Sequence, residues 1–385
     1  MAKALSLDIL SRLIGFDTTS ANSNLALMAY VQQHLREHGV DSQLIFDEQQ
    51  HKANLYATIG PQDQGGVMLS GHTDTVPVTG QNWTREPYRL TEAEGRYYGR
   101  GTSDMKAFLA VVLAAVPDMV LRELHTPIHL AFSYDEEIGC VGVRRLIDTL
   151  QGHPVRPAIC IIGEPTNMLV VTAHKGKLAA RVTVKGKECH SGMAPLGVNA
   201  INYAARLIHW LEQLALQKKN EGPFEQGYEI PYSTVHTGTV QGGTALNIVP
   251  NHCSFLFEIR NVAAEDPRQL LTHFQAYVDE LVAEMRHVDS DCQIDIDITT
   301  EYPGLSTAED AEVIHFVRSL VDSDSDGRIG FGTEGGLFSN ELGIPTVVCG
   351  PGSMDQGHKP DEFIHVSQIE QCELFMARLT DQLSQ

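Results

Sequence analysis

Three apolar runs in this chain end on a histidine or a carboxylate, and that repeated ending narrows the architectures open to it. Residues 67–69 run into Gly71-His72-Thr73-Asp74, residues 128–134 into Asp135-Glu136-Glu137, and residues 158–163 into Glu164-Pro165. A short continuous apolar run bounded by turn signals reads as a strand buried on both faces. In an open α/β sheet the carboxyl ends of such strands meet at one crevice, so polar groups there converge from distant points of the sequence. His72 and Asp74 stand two residues apart and so share one face of their strand. An imidazole that binds metal usually gives its other ring N–H to a carboxylate. The spacing therefore makes His72 a candidate ligand and Asp74 its orienting partner. Taken alone, one of 17 histidines in a polar loop would be read as solvated; the later stretches change that balance.

Helical spacing covers residues 5–14 and 22–38, with Leu25, Met28, Val31 and Leu35 marking one face of the second. Asn22 is the expected N-cap and Gly39 the expected stop. Strands are expected at 44–46, 54–59 and 67–70, and a hairpin turning at Gly95 within 83–98. Gly99-Arg100-Gly101-Thr102-Ser103-Asp104 then leads into an apolar helix over 107–116. A helix over 141–150 separates the strands at 128–134 and 158–163. This alternation predicts an α/β fold, a mostly parallel sheet with helices on both faces.

From Lys175 the pattern changes. Strands at 178–185, 234–240, 253–262 and 293–299, with helices over 198–216 and 267–285, run strand–helix–strand–strand–helix–strand, the order of a ferredoxin-like α+β unit. The α/β pattern resumes after about residue 301 with helices over 311–321 and 366–383, a strand at 346–349 and an acidic turn at 322–326. A chain of 385 residues is too long for one growing core. The expected organisation is a catalytic domain of residues 1–176 and 293–385 interrupted by an inserted domain of residues 177–292.

Charge narrows the partners. Lys+Arg 28 against Asp+Glu 49 gives a formal net charge of −21, which disfavours nucleic acid and anionic membranes. No apolar run approaches the ~20 residues that span a bilayer, and the first residues read as an amphipathic helix, not a cleavable signal. Seven cysteines without CxxC spacing argue against a disulfide framework and fit a reducing, cytoplasmic setting. Cys140, beside the acidic pair, reads as a buried inert thiol.

Five stretches thus place metal-suited groups at element ends: His72, Asp104, Glu136 with Glu137, Glu164, and His358 at the close of Gly350-Pro351-Gly352-Ser353-Met354-Asp355-Gln356-Gly357-His358. Imidazoles and carboxylates without a thiolate suit zinc, cobalt or manganese. The carboxylates exceed what one ion needs, which points to two ions ~3.5–4 Å apart that activate a shared water.

These stretches resemble the motifs of the dinuclear zinc amidohydrolase family that includes acetylornithine deacetylase, succinyl-diaminopimelate desuccinylase, aminoacylase and glutamate carboxypeptidase. The likeness runs the length of the chain, insert included. Gly71-His72-Thr73-Asp74-Thr75-Val76-Pro77 resembles the family's first-ligand motif, residues 99–106 its bridging-aspartate motif, and Asp135-Glu136-Glu137-Ile138-Gly139 its acidic pair. Carried across by position, the resemblance implies two divalent ions, Zn2+ or alternatively Co2+. His72 and Glu164 would bind one, Glu137 and His358 the other, with Asp104 as bridge. It implies Glu136 as general base, a cis peptide at Asp104–Met105, and a homodimer formed through the inserted domain. His190, in Glu188-Cys189-His190-Ser191-Gly192, resembles the lid histidine that steadies the oxyanion, and Asn247 and Arg260 resemble positions that hold substrate. A guanidinium suits a substrate carboxylate.

Within the family, Gly163-Glu164-Pro165-Thr166, His174-Lys175-Gly176 and the stretch after Pro351 are most similar to the acetylornithine deacetylase branch. Thr333-Glu334-Gly335-Gly336 departs from its commonest form. The implied substrate is a small N-acyl amino acid, N2-acetyl-L-ornithine first, with Glu334 as a candidate acceptor for the side-chain ammonium. A desuccinylase or a broader N-acyl-amino-acid deacylase are the alternatives in the same family. Outside it, a binding module would have no use for an unligated Glu136. A serine hydrolase built on Ser191 and His190 would lack the Gly-x-Ser-x-Gly elbow.

Overall fold

The computed structural model describes residues 2–322 and 326–385, so the middle of the acidic turn expected at 322–326 lies outside the described residues. The chain forms two compact units. One comprises Met1–Ala173, Leu305–Arg328 and Thr333–Gln385, and the other His174–Gly304 and Ile329–Gly332.

The larger unit is built on one sheet. Its strands lie in the order Ser42–Phe46, Ala53–Ile59, Ile128–Ser133, Val67–His72, Ile159–Ile162, Thr346–Val348, Val170–His174 and Leu305–Ser306. The four from Ile128–Ser133 to Thr346–Val348 are parallel neighbours, and antiparallel pairs flank them. Val67–His72 and Ile128–Ser133 are buried at every position, as central strands covered on both faces must be. Alternation divides their side chains. Val67 and Leu69 join one core with the helices Ala2–Ile14, Leu25–Glu37, Lys106–Leu121 and Val366–Leu383. Met68, Ser70 and His72 are buried outside that cluster. The helices Val143–Gln151 and Gly335–Leu342 pack against each other and the sheet.

Some details depart from the sequence reading. The second helix begins at Leu25, with Asn24 and not Asn22 at the cap position. The Asn24 side chain reaches across to the sheet instead of capping: Nδ2 donates to the Ala53 carbonyl at 2.9 Å and to Thr73 Oγ1 at 3.0 Å, and Oδ1 accepts from the Ala53 amide at 3.0 Å. Gly39 does stop the helix, at φ 76°. The helix Gly335–Leu342 is invisible to propensity, because it opens on two glycines.

In the smaller unit an antiparallel sheet runs in the order Thr234–Gly242, His252–Arg260, Lys177–Lys185, Gln293–Tyr302. The helices Ala200–Glu221 and Pro267–Arg286 share its core, giving the ferredoxin-like arrangement. Gln293–Tyr302 pairs along its length with Lys177–Lys185. The insert therefore runs past residue 292, because its last strand completes the sheet it started.

Sheet and helix meet closely just before Glu164. A Cβ on Gly163 would lie 2.1 Å from the Phe108 ring, so the glycine lets the helix Lys106–Leu121 settle onto the strand ends. Gly163→Ala is expected to cost about 1–3 kcal/mol or more through overpacking, read as a lowered urea midpoint. An unchanged midpoint would show that this contact has slack.

Candidate functional site

The ends of the parallel strands bring together seven of the residues singled out in the sequence. His72 closes its strand, Asp135-Glu136-Glu137 follow Ser133 and Tyr134, and Glu164 follows Ile162 and Gly163. Asp104 lies just before the helix Lys106–Leu121, across the cis peptide Asp104–Met105. His72 Nε2 is 2.9 Å from Asp104 Oδ1 and 3.5 Å from Glu164 Oε1. His358 Nε2 is 3.1 Å from Asp104 Oδ2 and 2.9 Å from Glu137 Oε2. Asp104 thus offers one oxygen to each imidazole. Ligating atoms of His72, Asp104 and Glu137, and of His72, Glu136 and Glu164, lie within 4.8 Å of one another.

Backbone and neighbouring side chains fix these groups. His72 Nδ1 faces the Asp74 carbonyl at 2.9 Å. A carbonyl only accepts, so the neutral ring carries its proton on Nδ1 and presents the Nε2 lone pair to the cluster. The Asp74 carboxylate, expected to orient the ring, is farther off at 3.5 Å. It accepts instead from Ser20 Oγ at 2.7 Å and from the amides of Glu136 and Glu137 at 3.1 and 3.2 Å. Asp74 therefore orients the ring mainly through its main chain and the acidic pair through its side chain. Asp135 and His358 hold φ of 56° and 58°, a left-handed conformation that non-glycine residues enter at some cost.

Burial and mutual charge shift the ionisable groups. Burial pushes the Glu137 carboxyl up to about 7, with Asp104 adding to it. Burial likewise raises Glu136 and Glu164 well above the carboxylate range. Burial opposes charge on His358, but hydrogen bonds to Asp104 and Glu137 override it and lift the imidazole to about 10. Asp104 is also buried, yet its bonds to His358 and His72 hold it low.

Glu334 lies on the same unit, buried, with one oxygen 3.5 Å from Ser70 Oγ and the other without a hydrogen-bond partner among the described residues. Burial raises its pKa to about 7. His190, Asn247 and Arg260 belong to the smaller unit. His190 opens a short 3-10 turn, and the amide of the next residue, Ser191, donates to the Asn247 carbonyl at 3.0 Å. Arg260 donates to Glu258 Oε1 at 3.2 Å and to the Tyr302 hydroxyl at 3.0 Å. Ser20, Lys52, Arg100 and Glu362, to which no sequence pattern assigns a role, hold the site loops. The one local signal at Glu362 is its place directly before the short strand Phe363–His365, which does not announce its partners.

The profile of peptidase family M20/M25/M40 matches residues 68–382. The chain belongs to peptidase family M20/M25/M40. It is 34% identical to an acetylornithine deacetylase of Myxococcus xanthus, covering 96% of this chain and 95% of the relative. To an acetylornithine deacetylase of Pasteurella multocida it is 32% identical, covering 98% and 97%. Its fold is shared by an M20 family metallo-carboxypeptidase from Sulfolobus solfataricus, with a TM-score of 0.78 at 19% identity, covering 98% of this chain and 99% of that one. As an M20 member the chain is a metal-dependent amidohydrolase; a Bacillus subtilis M20 peptidase that shares the fold, with a TM-score of 0.64 at 15% identity and covering 99% of this chain and 98% of that one, is described as a dinuclear metal binder.

The donors fit that role. Ligand atoms around a four-coordinate zinc at ~2.0–2.1 Å stand ~3.3 Å apart, and the imidazole–carboxylate separations here run from 2.9 to 3.5 Å. Glu137 Oε1 is buried with no hydrogen-bond partner among the described residues. Raised pKa values mean that the M20 cluster without metal carries protons that a cation must displace. The Glu137 value of about 7 exceeds its ordinary 4.5, so its contribution to metal-free stability is full below about 4.5 and lost as pH rises through about 7. The His358 contribution is full below 6.5 and lost as pH rises to about 10. Zinc is therefore expected to release protons on binding and to raise Tm more at about pH 8 than at about pH 5.5. Thermal scans and calorimetry in buffers of different ionisation heat check this; an equal or smaller rise at the higher pH contradicts it.

Proposed function

We propose that this enzyme hydrolyses the amide of N2-acetyl-L-ornithine to L-ornithine and acetate, a step of arginine synthesis in the cytoplasm. The observation that carries the chemistry is the half-buried Glu136 beside the donor cluster, close to His72 and Glu164. The full-length likeness to two acetylornithine deacetylases supports the substrate.

We assign His72 and Glu164 to one divalent ion, Glu137 and His358 to a second, and Asp104 to both. Zinc is the first candidate and cobalt the second. Such ions supply a Lewis acid for the acyl carbonyl and acidify a water. The proton falls to Glu136. Its carboxylate takes a proton from the attacking water as the oxygen joins the acyl carbon, and returns it to the amide nitrogen as the C–N bond breaks. Cys140 Sγ, 3.4 Å from Glu136 Oε1, donates to that carboxylate.

The smaller unit supplies the groups for the rest of the substrate in this reading. Arg260 pairs with the α-carboxylate, exchanging its contact with Glu258 for a two-pronged one. Asn247 binds beside it, and His190 donates to the developing oxyanion. Glu334 takes the ornithine ammonium on its buried carboxylate, one oxygen of which has no hydrogen-bond partner among the described residues. A homodimer through the smaller unit is part of the same proposal. The strand Thr234–Gly242 is at the edge of its sheet, and Val240, Leu246 and Ile248 are exposed near it.

Glu136→Gln keeps size and removes the base, so turnover is expected to fall by ~10²–10⁴ or more with metal content unchanged. Near-normal turnover would end the assignment. A kcat/KM series over acetylornithine, acetylcitrulline, acetylmethionine and succinyl-diaminopimelate tests the substrate, with acetylornithine expected first. A tenfold preference for the succinylated compound, ~1.4 kcal/mol of discrimination, would make this chain a desuccinylase.

A further inference from the structure

Glu362 sits four residues after His358 and is only 1% exposed, as is its partner Arg100. Four donors converge on the one carboxylate. Oε1 accepts from the amides of Ser103 at 2.8 Å and Asp104 at 3.1 Å. Oε2 accepts from the Gly101 amide at 3.0 Å and from Arg100 Nη1 at 2.7 Å. The Glu362 carbonyl takes the Gly99 amide at 3.0 Å as well. The loop that delivers Asp104 is thus wrapped around a single side chain. Arg100 extends the arrangement. Its Nη2 donates to Gln81 Oε1 at 2.5 Å, and Gln81 Nε2 donates to the His358 carbonyl at 2.9 Å.

We propose that Glu362 is a positioning residue for the metal cluster, holding the Asp104 main chain directly and the His358 main chain through Arg100 and Gln81. The inference rests on the assignment of Asp104 and His358 as ligands. It accounts for a carboxylate at a buried position. Both oxygens meet only donors, so a glutamine there would aim its NH2 group at N–H groups on one side or the other. A buried carboxylate accepting several backbone amides is also a stiff anchor, because each bond restrains a different residue of the loop. Groups that orient metal ligands in this way typically change metal affinity by about 10–100-fold when removed.

The test titrates metal-free wild type, Glu362→Gln and Gln81→Ala with zinc by calorimetry and follows kcat and KM at low and saturating zinc. Glu362→Gln is expected to weaken zinc binding by about 10–100-fold and to lower kcat with little change in KM, recovering in part at saturating zinc. Gln81→Ala, which leaves the Glu362 carboxylate in place, is expected to weaken it by a few-fold, on the order of one hydrogen bond. A purely structural role would lower Tm while the folded protein bound zinc with wild-type affinity, and that result overturns the proposal. If Glu362→Gln does not fold, wild-type affinity in Gln81→Ala overturns it. If Asp104→Asn binds two ions as tightly as wild type, the ligand assignment fails instead.

Discussion

Carboxyl groups held in contact at the strand ends are the constraint that the surrounding polar structure serves. Two unit charges 4 Å apart repel by ~4 kcal/mol at the screening typical near a protein surface, and Asp104, Glu136, Glu137 and Glu164 crowd around His72 in the larger unit. Protons taken up by the carboxyls or opposite charge beside them make such a cluster tolerable. In the protein alone that charge comes from His72, raised despite burial by Glu164 and Asp104, and from His358. Divalent cations do the same more effectively, which links the oddity of the cluster to its use.

Repulsion would also push the loops apart, and the surrounding bonds oppose this. Asp74 grips the amides of Glu136 and Glu137. Lys52 Nζ holds Asp135 at 2.6 Å and the Ser20 carbonyl at 2.5 Å, while Ser20 Oγ returns to Asp74. Behind Asp104, Lys106 is buried with its ammonium on the carbonyls of Leu13 and Phe16 at 3.0 and 2.9 Å, where it tops the C-terminal end of the first helix. Burial lowers that lysine to about 7. The polar groups near the cluster thus form a framework that ties it to the N-terminal segment and to the stretch after His358.

The parts legible from sequence are those in which chemistry sits next to a strong pattern. His72, Glu136, Glu137 and Glu164 each end an apolar run, and the closing helix Val366–Leu383 has an unbroken helical period. Groups whose partners are remote were not legible. Glu362 meets residues more than 250 positions earlier, and Lys52 meets Asp135 across 83; no local spacing announces either contact. Asn22 and Asn24 are equally good caps on paper, and Asn24 is decided by a sheet contact with Ala53. The strand expected at 293–299 does complete the sheet of the inserted unit, so the limit expected at 292 falls just short of a strand whose own pattern already assigns it there.

In the proposed site one aspartate joins two metal positions at the ends of these strands. Anomalous diffraction from crystals of the zinc-loaded protein, collected on both sides of the zinc edge, addresses it directly. Two peaks ~3.5–4 Å apart are expected, with Asp104 between them, one beside His72 and Glu164 and the other beside His358 and Glu137. A single peak at full occupancy, or zinc bound away from Asp104, would contradict it.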